Sequence, residues 1–304
     1  MSAATDALEV TGIGKQYRRL FGRGSNWALR DCTFRVPAGR VAALVGPNGA
    51  GKTTLLTMLA GLLTPTEGSA QIGGRPVAAG RSRGGEGRVS FVAQDKPLYR
   101  QLQVATMLEV AARFNHVWDP SRAARWLERF EIPLDRPCGR LSGGQQAQVA
   151  FAIALGSCPS VLLLDEPLSN LDPLARREVT QELLTEAADT GMTVLLSTHV
   201  VAELGGVTDH LVLLADGALL VDDAVDDILG SHRYYVGPRS TAPPVPGEVV
   251  RASHTDHQST FLLRVPPPLE PPAVAAPWTS REMTLEDFVL TQLETKRANS
   301  RRAA

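Results

Sequence analysis

Val41-Ala42-Ala43-Leu44-Val45-Gly46-Pro47-Asn48-Gly49-Ala50-Gly51-Lys52-Thr53-Thr54 is the stretch on which the fold of this chain turns. The five apolar residues that open it suit a strand buried on both faces, as in a parallel sheet. They run without a linker into a loop where Gly46, Gly49 and Gly51 let the backbone turn tightly. Helical apolar spacing then extends from Lys52 to Leu63, and Thr64-Pro65-Thr66-Glu67-Gly68 closes it. A glycine loop between a strand and a helix is the context in which such a loop cradles phosphate. Its successive N–H groups point inward at anionic oxygens, and the helix N-terminus adds its positive dipole end. Lys52 supplies a full charge for β- and γ-phosphates, and the Thr53 hydroxyl is an expected Mg²⁺ ligand. An ordinary glycine-rich turn has no need of Lys52-Thr53-Thr54 after an apolar strand.

Two further segments extend the pattern. Leu141-Ser142-Gly143-Gly144-Gln145 begins a helix at Ser142 that reaches about Gly156, and its two glycines leave the backbone uncovered. That is a second phosphate-binding helix start in one chain. Val161-Leu162-Leu163-Leu164-Asp165-Glu166 reads as a buried strand that ends on two carboxylates. Asp165 can hold a metal there, directly or through water. Glu166 follows at the mouth where open α/β sheets bind ligands. Capping of the next helix is the plainer role for two carboxylates, but the four apolar residues before them and Pro167 after them weigh against it.

Strands are expected at Leu8–Ile13, Trp27–Val36, Val89–Val92 and Val194–Leu196, and helices at Leu174–Asp189 and over much of Leu98–Leu134. Strands alternating with helices indicate an α/β parallel-sheet core. Residues 78–87, rich in Gly, Arg and Ser, read as an exposed hairpin or mobile loop. Composition shifts near residue 236, where prolines become dense. Glu248–Ser253 and Ser259–Val265 could pair as a hairpin, and Met283–Arg297 could form an amphipathic closing helix. The expected division is therefore 1–235 and 236–304, the second being a Pro-rich linker with a small accessory domain. A mostly disordered tail is the alternative.

Composition narrows the function. At 304 residues and 43% apolar residues, the chain can build a substantial core. A net charge of −1 gives no whole-chain basic field, so nucleic acid is not an expected partner. Cys32, Cys138 and Cys158 are far apart and form no Cys-x-x-Cys pair, which suggests neither zinc nor a disulfide framework. No apolar run approaches the ~20 residues of a membrane-spanning helix. The N-terminus lacks the pattern of a signal peptide. Work at a membrane would require another chain to supply the membrane part.

The three segments, in this order, resemble the ATPase subunit of an ATP-binding cassette (ABC) transporter, and the resemblance covers roughly residues 8–230. It implies a P-loop NTPase core with a parallel sheet, an antiparallel β subdomain and an inserted helical subdomain. ATP and Mg²⁺ are the implied cofactors. The cradle would be Gly46, Pro47, Asn48, Gly49, Ala50, Gly51, Lys52, Thr53 and Thr54, and the metal ligands Thr53, Gln94 and Asp165. Glu166 would polarise the attacking water, and Gln94 would touch the metal and that water. His199, after Ser197-Thr198, matches the family's switch histidine, which contacts the γ-phosphate. Tyr17 stands where the family stacks an aromatic ring on adenine, although a surface tyrosine at a strand end reads the same way. Asp172 is the key residue of Ser169-Asn170-Leu171-Asp172, a loop that crosses to the partner subunit. Ser142, Gly143, Gly144 and Gln145 would close over ATP held by the other subunit. A homodimer or heterodimer with two shared sites follows. So does a separate transmembrane permease on the cytoplasmic face of the plasma (inner) membrane.

The chain departs from the family after the signature. Gln146-Ala147-Gln148-Val149 and Ile153 leave out two usual arginines, which puts rate and inter-subunit salt bridges in question. Met283-Thr284-Leu285-Glu286-Asp287-Phe288-Val289-Leu290 resembles the closing Leu-Glu-Asp-x-Phe segment of exporter-type subunits, with Phe288 one place early. Export is the expected direction. The rivals are a non-transport ABC ATPase and a regulatory subunit with a silent site, and the presence of Lys52 and Glu166 argues against the latter.

Overall fold

The structure is a computed structural model, and it describes residues 6–18, 25–78, 88–169, 171–204, 206–265 and 272–303. The Gly/Arg stretch, apart from Ala78 and Arg88, and Asn170 lie outside the described residues.

In chain order the strands are β1 (Asp6–Arg18), β2 (Ser25–Pro37), β3 (Val41–Val45), β4 (Glu67–Ile72), β5 (Arg75–Pro76), β6 (Val89–Val92), β7 (Val161–Asp165), β8 (Thr193–Thr198), β9 (His210–Ala215), β10 (Ala218–Ala224), β11 (His232–Pro238), β12 (Glu248–His254), β13 (Gln258–Arg264) and β14 (Thr279–Glu282). The helices are α1 (Lys52–Leu59), α2 (Val104–Phe114), α3 (Pro120–Arg129), α4 (Gly143–Gly156), α5 (Pro173–Thr190), α6 (Val225–Ser231) and α7 (Leu285–Ala303). The chain divides into two compact units, Met1–His199 with Val212–Asp222, and Val200–Leu211 with Asp223–Ala304.

The first unit carries the expected α/β architecture. Its central sheet has the order β10-β9-β3-β8-β7-β6, and β3/β8, β8/β7 and β7/β6 pair in parallel. All five residues of β3 and all five of β7 are buried, which is why both segments read as unbroken apolar runs. Each fully buried Val or Leu there contributes roughly 1.5–3 kcal/mol before conformational entropy is counted. A second, antiparallel sheet has the order β2-β1-β4-β5. Its inward residues Leu8, Val10, Ile13 and Phe34 join Leu44, Leu55 and Leu163 in one core.

The helical part is smaller than Leu98–Leu134, because only α2 and α3 are helical there. Asp119 caps α3, accepting from the Ser121 and Arg122 amides, with Pro120 as the first helical residue. Trp126 of α3 packs on Phe151 of α4, with ring centroids 5.3 Å apart, and its Nε1–H donates to Gln148 Oε1 at 2.9 Å. Gln148 stands at the first missing arginine, and it is buried with an indole partner that a neutral amide satisfies.

The described residues of the second unit form regular structure. Its antiparallel sheet runs β12-β13-β11-β14. Tyr235, Phe261 and Leu263 form its core, and Trp278 covers them. A Cβ at Gly237 would collide with the Trp278 ring, so that strand position holds glycine. Phe288 of α7 meets His232 edge-on, with centroids 5.2 Å apart. The boundary drawn at 235/236 falls inside β11, which pairs with both β13 and β14. The proline-rich composition begins after this strand, so composition alone places the break too late.

Candidate active site

β3 delivers the chain into the glycine loop. A Cβ on Gly46 would run into the Leu214 carbonyl, and a Cβ on Gly51 would lie 2.6 Å from the Ala28 carbonyl oxygen. Gly51 also has φ 103°, a conformation that side chains rarely adopt. It is the N-cap of α1, and no side chain caps that helix. Its first turn holds no acidic residue, so its N–H groups and positive dipole end are open to an anion.

Lys52 is only 6% exposed. Its Nζ donates to the Gly46 carbonyl at 2.7 Å and reaches the Pro47 carbonyl at 3.4 Å and Glu166 Oε1 at 3.9 Å. Burial pushes its pKa below the usual 10.5, and the charges of Glu166 and Asp165 oppose that shift.

Glu166 is the hub of the site. Its Oε1 lies 3.1 Å from His199 Nδ1, and its Oε2 accepts from Gln94 Nε2 at 3.3 Å. Its backbone N–H donates to Ser197 Oγ at 2.9 Å, and Ser197 Oγ donates to Asp165 Oδ1 at 2.7 Å. The Glu166 backbone sits at φ 44°, an uncommon conformation for a residue with a side chain. Ser169 Oγ donates to the Glu166 carbonyl at 3.0 Å and steadies the bend. The strand ends here because Glu166 leaves the β conformation, which sets its carboxylate between Lys52, His199 and Gln94.

The donor set fits the implied cofactors. An uncapped helix start beside a buried ammonium suits a polyphosphate. The Thr53 hydroxyl, the Asp165 carboxylate and the Gln94 amide oxygen offer only hard oxygen ligands, as Mg²⁺ prefers. No cluster of three His, Cys, Asp or Glu side chains forms among the described residues. Mg²⁺ needs none, because it takes much of its shell from water and phosphate.

The structure thus gathers Lys52, Glu166, Gln94, His199 and Asp165. Among the described residues, no hydrogen bond or ion pair joins Ser142, Gln145, Asp172 or Tyr17 to that group. Ser142 Oγ accepts from the Gln145 N–H at 3.2 Å, and Gln145 Oε1 accepts from the Ser142 N–H at 3.1 Å. This capping box closes the start of α4. Gly144 sits against Leu171, where a Cβ would come within 2.9 Å of Cδ2. Asp172 caps α5 by accepting from the Leu174 and Ala175 amides at 3.0 Å. Tyr17 is 45% exposed at the end of β1, with Lys15 Nζ 5.7 Å from its ring centroid. Ser197, which bridges Asp165 and Glu166, is a further site residue that no sequence motif marks. Its signal was a polar residue at the end of the apolar run Val194-Leu195-Leu196.

A family model described as ABC transporter matches residues 29–169. A phosphonates import ATP-binding protein of Haloquadratum walsbyi is 35% identical over 239 residues, covering 73% of this chain and 77% of that protein. The Nod factor export ATP-binding protein I of Sinorhizobium fredii is 31% identical over 277 residues, covering 84% of this chain and 78% of that protein. Proteins named for import of aliphatic sulfonates, molybdenum and sulfate/thiosulfate also match. Import names predominate, so the exporter branch does not follow from these likenesses. In fold, the chain resembles a dimeric ATP-binding cassette, MJ0796, bound to ADP and Pi, with a TM-score of 0.63 over 72% of this chain and 98% of that one at 24% identity.

Proposed function

Because the chain belongs to the ABC transporter family as an ATP-binding subunit, we propose that its ATPase chemistry runs on Glu166 and that two copies, or this chain and a relative, share their sites. The observation that carries this reading is the Glu166 carboxylate, set between Lys52, His199 and Gln94 beside an uncapped helix start. The chain is an ATPase that uses ATP with Mg²⁺. Thr53, Asp165 and Gln94 would hold Mg²⁺, which would supply charge neutralisation and Lewis acidity at the phosphates.

The protein's own groups do the rest. Glu166 Oε1 or Oε2 accepts a proton from the attacking water and orients it. Lys52 and the open N–H groups of α1 meet negative charge on the phosphates, preorganised by burial. His199 offers a hydrogen bond from its exposed ring, and Gln94 fixes the second oxygen of Glu166. Ser197 holds Asp165 and the Glu166 backbone in register. Ser142, Gly143 and Gly144 act on the nucleotide of the partner, and Asp172 shapes the neighbouring loop through its cap. Tyr17 lends a ring face to the base.

No helix among the described residues is long and apolar enough to cross a membrane, and membership of the family as an ATP-binding subunit is what supports a separate permease for the path. Docking there places the chain on the cytoplasmic face. For direction, we favour export. The exporter relative covers 84% of this chain, more than residues 1–235 alone can supply, so that likeness reaches into the second unit. The import names weigh the other way. Stimulation of the assembled ATPase by substrate from the chain's own side of the membrane would support export. Stimulation only from the opposite side would overturn it.

The test of the site is Glu166→Gln. The amide keeps size and hydrogen bonding but is no base. ATP binding should persist while turnover falls on the order of 10²-fold or more, and an ATP-bound dimer should accumulate on size-exclusion chromatography. Near-normal turnover removes Glu166 from the mechanism.

A further inference from the structure

Ser197 is wholly buried, and its hydroxyl makes two hydrogen bonds, both to residues of the site. It follows Val194-Leu195-Leu196 on β8 and is the register partner of Asp165 in the parallel pair with β7. The ladder thus sets the hydroxyl against the carboxylate without help from a loop. The two bonds also fix the direction of its single hydrogen. The Glu166 backbone N–H, 2.9 Å away, can only donate, so it takes a lone pair of Ser197 Oγ. The hydroxyl hydrogen is left for Asp165 Oδ1, at 2.7 Å. That is a charge-assisted bond inside a buried strand pair, where such bonds are strong.

The two oxygens of Asp165 are thereby made unequal. Oδ1 is committed to Ser197, whereas Oδ2 accepts no hydrogen bond among the described residues. Among the described side-chain nitrogens and oxygens, Arg233 Nε alone is both closed off from solvent and unpaired. Asp165 Oδ2 therefore keeps a face on the cleft, although the residue as a whole is buried. One carboxylate oxygen, not two, is free to take a ligand. Thr53 and Gln94 offer one oxygen each, so Asp165 is where the number of protein ligands can vary. That number separates the hard cations. Mg²⁺ demands a near-ideal octahedron and keeps much of its water, whereas Ca²⁺ accepts more oxygens and readily takes both from one carboxylate.

Resting on the reading of the ATP site above, we propose that Ser197 sets the metal preference of this ATPase: by occupying Asp165 Oδ1 it confines the carboxylate to a single coordinating oxygen, and so disfavours Ca²⁺ against Mg²⁺. It is a positioning residue, because it acts through Asp165. The same hydroxyl satisfies the Glu166 N–H where the strand ends at φ 44°. One buried oxygen atom thus fixes both the metal-ligating and the catalytic carboxylate. Without the hydroxyl, Oδ1 becomes a further protein oxygen, one that Ca²⁺ can use and that Mg²⁺ can use only by giving up its octahedron.

The test reads binding rather than turnover. Calorimetry on the full chain measures the Kd of AMP-PNP, an ATP analogue that is not hydrolysed, in excess Mg²⁺ and in excess Ca²⁺. The wild-type chain should favour the Mg²⁺ complex. Ser197→Ala should narrow the ratio of the two constants on the order of fivefold or more, and Ser197→Thr, which keeps the hydroxyl, should hold it near the wild-type value. A hydroxyl needed only for packing would change both constants by the same factor and leave the ratio alone. Thermal unfolding checks the fold of each variant. If Ser197→Ala unfolds, Ser197→Cys carries the test, because a thiol is a weak donor of similar size and should narrow the ratio in the same way. An unchanged or widened ratio in the folded Ala or Cys variant, a Ser197→Thr ratio as narrow as theirs, or a wild-type chain that does not favour Mg²⁺ overturns the proposal and leaves the ATP-site reading intact. A wild-type chain that binds neither complex overturns that reading, and the proposal falls with it.

Discussion

α1 and α4 both have glycine at their starts, Gly51 before the one and Gly143-Gly144 opening the other, yet their first turns are in different states. The start of α1 has no side-chain cap, and the Lys52 ammonium stands beside it. The start of α4 is closed by its own residues, Ser142 and Gln145, in a reciprocal pair of bonds. The first is built to take phosphate within a single chain. The second already uses the Ser142 and Gln145 amides in its own cap, so phosphate meets only the Gly143 and Gly144 amides unless that cap, worth about 1 kcal/mol, opens. The contrast sets an expected order of events: nucleotide binds at α1 first, and the bound charge then draws the partner's α4 out of its self-capped state.

The largest effect should come from the open start. Lys52→Ala removes the buried cation, and ATPase activity should fall on the order of 10²–10³-fold. Binding of a fluorescent ATP analogue should weaken with it. Retained binding and turnover would show that the loop amides suffice, and the contrast between the two starts would lose its meaning.

The next test separates the two roles of Ser142. Aspartate caps a helix about as well as serine and favours the dipole, so Ser142→Asp should leave the melting temperature within about 2 °C of wild type. A carboxylate facing a partner's γ-phosphate should nevertheless cut activity on the order of tenfold or more. Mixing this chain with Lys52→Ala should restore some activity, because one of the two shared sites is then intact. Normal activity in Ser142→Asp alone would mean that α4 never meets nucleotide.

The sequence made one of these states legible and hid the other. Gly51, which has no side chain to cap with, stands directly before Lys52, so an open start could be read directly. Ser142 with Gln145 three places on is itself a capping-box pattern, a signal overshadowed by the two glycines that mark a phosphate-binding helix start. Asp172 before Pro173 is likewise a helix-start signal, and the structure uses it as one. The apolar runs Val41–Val45 and Val161–Leu164 needed no tertiary information, since strands buried on both faces show no alternation. α1 stops at Leu59, short of Leu63, because Gly61 takes φ 69° and the Leu62 and Leu63 amides turn back to the Thr57 carbonyl. Apolar spacing continues through that turn and conceals it. The central place of β11 and the positive φ of Glu166 depend on contacts distant in sequence, and no local pattern carries them.

Gly51→Ala tests why the open start is open. The substitution forces a side chain into a left-handed conformation, at about 1–2 kcal/mol, and against the Ala28 carbonyl and Leu29. For a unit of this size the melting temperature should fall by about 5 °C or more. A fall well below that would show that the loop relaxes freely, and the preorganisation argued for α1 would be weaker than its geometry indicates.

The smallest expected effect is the most discriminating. Gln145→Ala removes one half of the capping box and leaves Ser142 Oγ in place. Stability should drop by about 0.5 kcal/mol, near the low end for a cap, or about 1–2 °C in melting temperature. If Gln145 acts on the nucleotide directly, the KM for ATP must rise. If its work in the free chain is to keep α4 closed, removing it lowers the cost of accepting the partner's phosphate, and KM should stay level or fall slightly. Among the described residues, the Gln145 side chain bonds to Ser142 and to no other group, so the second outcome is expected. A raised KM with unchanged stability would reverse the assignment and make the two helix starts alike.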